Sequence, residues 1–232
     1  MVAGRKRKEK KKEEMKLFID TANLQEIEEA SKWPFVSGVT TNPSLIAKEG
    51  LTQKEVIERI AQMIDGPISA EVTEETAEGM LAQAHELYQI KPENIVIKLP
   101  MTIEGLKACK KLYEANIPTN VTLCFSPAQA LLAMESHATY ISPFLGRLDD
   151  NGWNGITLLE DIVDIKRNFG YESKIIAASV RSVDHVQQAA IAGVDVATIP
   201  YKVLAKLIEH PLTAAGLETF RKDAAKTASL KK

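Results

Sequence analysis

A chain of 232 residues, 45% hydrophobic and 26% charged, has ordinary globular proportions and a length at which α/β barrels fold as one domain. Its net charge of −2 combines seven Lys/Arg against three Glu in residues 1–14 with about −6 over the remainder, which argues against a nucleic-acid surface on the folded part. Only two cysteines, no apolar run near a membrane span and a basic N-terminus without a signal's apolar stretch exclude a disulfide framework and a bilayer segment, so a cytoplasmic protein is expected.

Residues 1–14 read as a disordered charged tail, with a polyanion-binding arm as the alternative, and a single catalytic domain is expected over 15–232. From Met15 onward, β-rich runs recur at 16–20, 36–40, 67–72, 94–99, 118–123, 138–143, 174–179 and 195–200. Helical patterns lie between them. Thr52 and Glu55 form a capping box ahead of Val56, Ile57 and Ile60. Asn42-Pro43 and Ser126-Pro127 each place a capping side chain before a proline at the first helical position, and Ser182 caps the helix that follows it. Eight strands alternating with helices predict an α/β (β/α)8 TIM barrel with additional C-terminal helices at 201–208 and 211–229. An open doubly wound sheet is the alternative, weakened by the missing glycine fingerprint at the first strand-helix turn.

The fourth strand, Asn94-Ile95-Val96-Ile97-Lys98-Leu99, carries a lysine in an apolar run. Desolvation disfavours an ammonium, and a neutral amine is a nucleophile for Schiff-base chemistry. On this strand alone, a lysine snorkelling to water is the simpler reading. The barrel changes that balance, because active sites form at the C-terminal ends of the strands. Seven of the eight runs end in polar residues: Asp20; Thr40, Thr41 and Asn42; Glu71; Lys98; Asn120 and Thr122; Ser142 and Arg147; Ser179 and Arg181. Each has an ordinary explanation as a cap, turn or surface charge, but their joint occurrence does not.

Lys98 between the carboxylates Asp20 and Glu71 suits imine formation, which needs an amine and groups that move protons. Arg147, Ser179 and Arg181, late in the chain, suit a phosphate pocket. The expected partner is a phosphorylated carbonyl compound. His85, His137, His185 and His210 lack zinc-ligand spacing, and Asp149-Asp150-Asn151-Gly152 reads as a turn rather than a calcium loop, so no metal and no cofactor is expected.

FIDTAN at 18–23, GVTTNPSLI at 38–46, VIKLP at 96–100, NVTLCFS at 120–126, ISPFLGRLDD at 141–150 and AASVRS at 177–182 resemble the transaldolase family, in its small single-barrel branch that also contains fructose-6-phosphate aldolases. The resemblance implies a metal-free transfer of a dihydroxyacetone unit from fructose 6-phosphate or sedoheptulose 7-phosphate to an aldose phosphate in the pentose phosphate pathway. It implies Lys98 as the Schiff-base lysine, Asp20 as the base at the C4 hydroxyl, and Glu71 with Thr122 as a water-linked acid/base pair. It further implies that Thr41, Asn42, Asn120, Ser142 and Phe144 line the sugar, and that Arg147, Ser179 and Arg181 hold its phosphate. Glu71 and Phe144 match the transferases, where the aldolases have glutamine and tyrosine. The family's small members are typically homo-oligomers, often decamers of two pentamers with the C-terminal helix crossing to a neighbour. The alternatives are a fructose-6-phosphate aldolase, a catalytically silent sugar-phosphate-binding barrel, or a scaffold whose basic tail recruits nucleic acid; otherwise no nucleic acid or membrane partner is expected.

Overall fold

The β-branched runs become strands close to where the sequence predicts them: β1 Lys16–Asp20, β2 Val36–Thr40, β3 Ile68–Glu71, β4 Ile95–Pro100, β5 Thr119–Cys124, β6 Tyr140–Pro143, β7 Lys174–Ala177 and β8 Val196–Ile199. In the computed structural model, which describes residues 14–229, neighbouring strands pair in parallel in chain order and β8 closes onto β1. The architecture is the expected (β/α)8 barrel, with helices filling the connections. The predicted tail over 1–14 lies outside the described residues except for Glu14, which pairs with Lys16 at 3.6 Å.

Local chemistry sets the helix starts. Thr52 and Glu55 complete the capping box of Gln53–Met63. Asn42, Ser126 and Ser182 accept main-chain N–H bonds at the starts of Pro43–Ile46, Pro127–Glu135 and Val183–Ala192. Two strand boundaries shift by two residues from the predicted ones, the others by one at most, and the two have identifiable reasons. β6 begins at Tyr140 rather than 138, because His137 closes the preceding helix in the left-handed region (φ +59°) and Ala138 bonds back to Ala133. β7 stops at Ala177, since Ala178 makes only an isolated bridge to Phe144 and Ser179 turns left-handed at φ +58°.

The main core lies between the sheet and the helices, with Ile19, Ile27, Ile57, Ile60, Ile97 and Leu112 fully buried. A second, small cluster consists of Phe18, Ile176 and Val196, with Tyr140 packed against it. Side chains two apart on a strand share a face. One step further along that face, Phe18 gives way to Asp20, Tyr140 to Ser142 and Val196 to Thr198. The barrel interior therefore has an apolar floor and a polar mouth. Gly38 belongs to this arrangement, because a Cβ there would lie 2.7 Å from the Phe18 ring, so the absence of a side chain on β2 makes room for the floor's phenylalanine.

Two helices follow β8. Tyr201–Lys206 packs through Leu204, whereas Pro211–Ser229 buries no side chain among its described residues and leaves Leu212, Leu217 and Phe220 exposed. Among the described residues, no helix is long and apolar enough to cross a membrane.

Candidate active site

Lys98 stands in a row of register partners, Glu71 on β3, Lys98 on β4 and Asn120 on β5, so the sheet itself sets these three side by side. The lysine is only 5% exposed. Its Nζ lies 2.8 Å from Glu71 Oε2 and donates to the main-chain carbonyl of Thr41 at 3.0 Å. A buried ammonium requires such partners, because losing water without replacing its hydrogen bonds costs several kcal/mol, on the order of the penalty for an unpaired interior ion. The surface-snorkelling reading of Lys98 is thereby excluded.

Asp20 and Thr40 are register partners on β1 and β2. Thr40 Oγ1 donates to Asp20 Oδ1 at 2.7 Å and lies 2.6 Å from Thr198 Oγ1. A hydroxyl has one proton, so when Thr40 donates to the carboxylate, Thr198 must donate to Thr40. Burial pushes the Asp20 carboxyl above the usual aspartate range; the Lys98 charge and the Thr40 hydrogen bond oppose that rise, and the Glu71 charge adds to it. On the other wall, Ser142 donates to Asn120 Oδ1 at 2.8 Å and Asn120 Nδ2 donates to Ser69 Oγ at 3.1 Å, which fixes the Asn120 amide.

The cationic end comes from two neighbouring loops. Arg147 rides on the short helix Leu145–Asp149, its guanidinium 5.0 Å from the Phe144 ring centre and 6.0 Å from that of Phe125. Among the described residues it faces no carboxylate at ion-pair distance. Arg181 is held by Asp150 at 2.8 Å, with both side chains about half exposed. The two loops are stitched together where Leu145 and Gly146 donate to the carbonyls of Ala178 and Ser179, both at 3.1 Å. Gly146 is needed for that approach, since a Cβ would lie 2.2 Å from the Ser179 oxygen and 2.6 Å from Arg181 Cγ.

Asp20, Asn42, Lys98, Ser142, Phe144, Arg147, Ser179 and Arg181 line one cavity of about 300 Å³ at the mouth of the barrel. Glu71 and Asn120 stand beside it through Lys98 and Ser142. Thr41 reaches the site by its carbonyl, while its hydroxyl donates away to Ser69 O at 2.9 Å. Asn42 both lines the cavity and caps its helix through Leu45 N at 3.0 Å. Thr122 is buried, and its hydroxyl has no hydrogen-bond partner among the described residues.

Sequence reasoning missed Thr198, which lines the cavity, and Ser69, which anchors Asn120. Thr198 had a signal: it is the inward polar residue two beyond Val196 on the one strand whose end yielded no candidate. The Asp149–Gly152 segment is a turn, with Asp150 on Arg181, Asn151 donating to the Arg147 carbonyl and Gly152 left-handed. Among the described residues, no group of three or more His, Cys, Asp or Glu is arranged to hold a metal.

A sequence profile of the family described as Transaldolase/Fructose-6-phosphate aldolase matches residues 17–232. The chain is 58% identical to a protein of Caldicellulosiruptor saccharolyticus named "Probable transaldolase", over 90% of this chain and 96% of that one. Relatives of the same name in Clostridium tetani and Geobacter sulfurreducens are 57% and 56% identical, each over 90% of this chain and 97% of its own. A solved thiamine phosphate pyrophosphorylase from Pyrococcus furiosus superposes with a TM-score of 0.57 at 16% identity, covering 80% of this chain and 85% of that one, a likeness of fold alone.

The hydroxyl on Asp20 yields a prediction with a definite sign. Thr40 holds the Asp20 proton affinity down, so Thr40→Val raises it, and any turnover that needs the Asp20 carboxylate is lost at higher pH on acidification. The acid limb of kcat against pH should move to higher pH, because the hydrogen bond that favours the Asp20 carboxylate is removed. An unmoved limb would show that Asp20 does not control it.

Proposed function

The chain belongs to the transaldolase/fructose-6-phosphate aldolase family, and we propose that within it this protein is a class I transaldolase, carrying a dihydroxyacetone unit on Lys98 between a ketose phosphate and an aldose phosphate. The observation that carries the reading is the buried amine of Lys98, held 2.8 Å from Glu71 at the mouth of the barrel. Fructose 6-phosphate and sedoheptulose 7-phosphate are the proposed donors, and erythrose 4-phosphate an acceptor.

In this reading Glu71 accepts the ammonium proton, and the freed Nζ attacks the C2 carbonyl, with C=O becoming a hydroxyl in the carbinolamine. Glu71, with Thr122 through a water, returns a proton to that hydroxyl, which leaves as water and gives the iminium. Asp20 removes the C4 hydroxyl proton; the C4–O electrons form a carbonyl while the C3–C4 pair moves into the iminium, giving an enamine and a departing aldose phosphate. Addition to the acceptor aldehyde runs the same steps backwards, and hydrolysis of the new imine restores the lysine. Asn42, Asn120 and Ser142 hold the three-carbon hydroxyls, and Arg147, Ser179 and Arg181 receive the phosphate. The rigid fork of arginine suits phosphate oxygens, and among the described residues Arg147 faces no carboxylate that would compete.

Transfer is favoured over aldol release because Phe144 lines the cavity without a hydroxyl. A proton donor there would quench the enamine and free dihydroxyacetone. We further propose that the protein works as a homo-oligomer in which Pro211–Ser229 packs on a neighbouring copy, since that helix leaves Leu212, Leu217 and Phe220 uncovered on its own barrel.

Three outcomes follow from this reading. Borohydride added with fructose 6-phosphate should leave a three-carbon adduct on the peptide containing Lys98, and none in Lys98→Met; label on another residue would overturn the mechanism. Phe144→Tyr should raise release of free dihydroxyacetone relative to transfer on the order of tenfold, measured by product analysis with and without erythrose 4-phosphate; unchanged partitioning would remove Phe144 from that role. Truncation after residue 210 should lower the number of subunits per particle found by analytical ultracentrifugation, and an unchanged number would exclude the helix from the interface.

A further inference from the structure

We propose that His185 is a positioning residue for phosphate recognition, fixing the main chain of the Arg181 loop relative to the helix that carries Arg147. The inference rests on the reading of Arg147, Ser179 and Arg181 as the phosphate pocket.

His185 does not line the cavity; it lies behind it, at the start of Val183–Ala192, with a side chain 17% exposed. The main-chain N–H of Arg181 donates to His185 Nδ1 at 3.2 Å. A neutral imidazole carries one N–H, so this bond requires the proton on Nε2. Nε2 lies 3.2 Å from Asp149 Oδ2, and a carboxylate at that position favours the same tautomer. The other oxygen of Asp149 accepts the Gly155 N–H at 2.9 Å, which fixes the carboxylate in turn. Nδ1 thus accepts from Arg181 while Nε2 faces the Asp149 carboxylate, and His185's own N–H donates to Ser182 Oγ at 3.1 Å.

The consequence is a continuous brace. It runs from the helix Gly155–Phe169, through Asp149 at the end of the Arg147 helix, across the imidazole, to the backbone of Arg181. Two arginines from different loops grip one phosphate only if their spacing is held. The other tie on Arg181, its ion pair with Asp150, engages the guanidinium through Nη2, the same group that a phosphate would draw on. The bond to His185 engages the main chain instead and persists.

The test uses full-length His185→Ala, His185→Asn and His185→Gln with three readouts: kcat, the KM for fructose 6-phosphate, and the inhibition constant of inorganic phosphate. Asparagine sets a carbonyl oxygen near the place of Nδ1 and can still accept from Arg181; glutamine sets its amide near Nε2 and cannot. Alanine and glutamine should raise KM and the phosphate inhibition constant together by about fivefold to tenfold, the scale of one neutral hydrogen bond, with kcat held. Asparagine, which keeps the Arg181 bond and loses the Asp149 contact, should fall between wild type and glutamine. Unchanged binding in the alanine and glutamine variants, a fall in kcat without a rise in KM, or an asparagine variant as impaired as glutamine at equal thermal midpoint would each overturn the role. Arg147→Ala and Arg181→Ala separate the two levels. If they raise KM while the His185 variants do not, only the positioning role is lost; if they leave both constants unchanged, the phosphate reading fails and this inference fails with it.

Discussion

The contact on which the rest of the site depends is the ion pair between Lys98 and Glu71 inside the barrel mouth. A lysine 5% exposed persists only with its charge matched and its N–H groups engaged, and the barrel supplies both, from Glu71 and the Thr41 carbonyl. That requirement reaches well beyond two side chains. The Glu71–Lys98 pairing is a register pairing, so a slip of one residue between β3 and β4 would turn one partner out of the interior and strand the other. Similarly, Thr41 presents a carbonyl only because β2 ends there, with Asn42 turning the chain into the next helix.

The interior is graded to serve this pair. Phe18, Ile176, Val196 and Tyr140 close the floor, and on the same faces Asp20, Thr198 and Ser142 open the mouth. Water entering from below would raise the local dielectric and weaken every charge interaction above it. The aromatic floor, seated over Gly38, prevents that. Polar residues in the mouth are in turn joined in short chains, Thr198–Thr40–Asp20 and Ser142–Asn120–Ser69, so these hydroxyls and the Asn120 amide do not stand unpaired, with the Thr122 hydroxyl the exception.

Most of this architecture is local and was legible in the sequence. Strand runs and caps such as Thr52, Asn42, Ser126 and Ser182 depend on residues a few positions apart, and strand ends locate the mouth. Partnerships between distant strands were not legible. Nothing near Thr198 announces that its hydroxyl meets that of Thr40, 158 residues away, and nothing near Asp149 announces His185. Thr41 shows a different limit: its residue type suggested a hydroxyl in the site, whereas the backbone path turns the carbonyl there. Ser179 is a third case, because a left-handed serine is disfavoured locally and arises only from the stitching between its loop and Gly146.

The charges at the mouth also bear on why the proposed intermediate would wait for an acceptor. Two influences on Asp20 oppose each other: burial raises its proton affinity, and the positive charge at Lys98 lowers it. In the proposed reaction that positive charge persists on the iminium, so Asp20 remains a base as the C3–C4 bond begins to break. When the electron pair reaches nitrogen, the enamine is neutral and the opposing charge is gone. Burial and the Glu71 charge then act with only the Thr40 hydrogen bond against them, and Asp20 keeps the proton it has taken. The proton and the carbanion equivalent are thus stored together in the mouth, one on Asp20 and one on the three-carbon unit, beside a Phe144 that has no proton to give. An incoming aldehyde relieves both at once, since its carbon takes the electron pair and its oxygen takes the Asp20 proton as the positive charge returns to nitrogen.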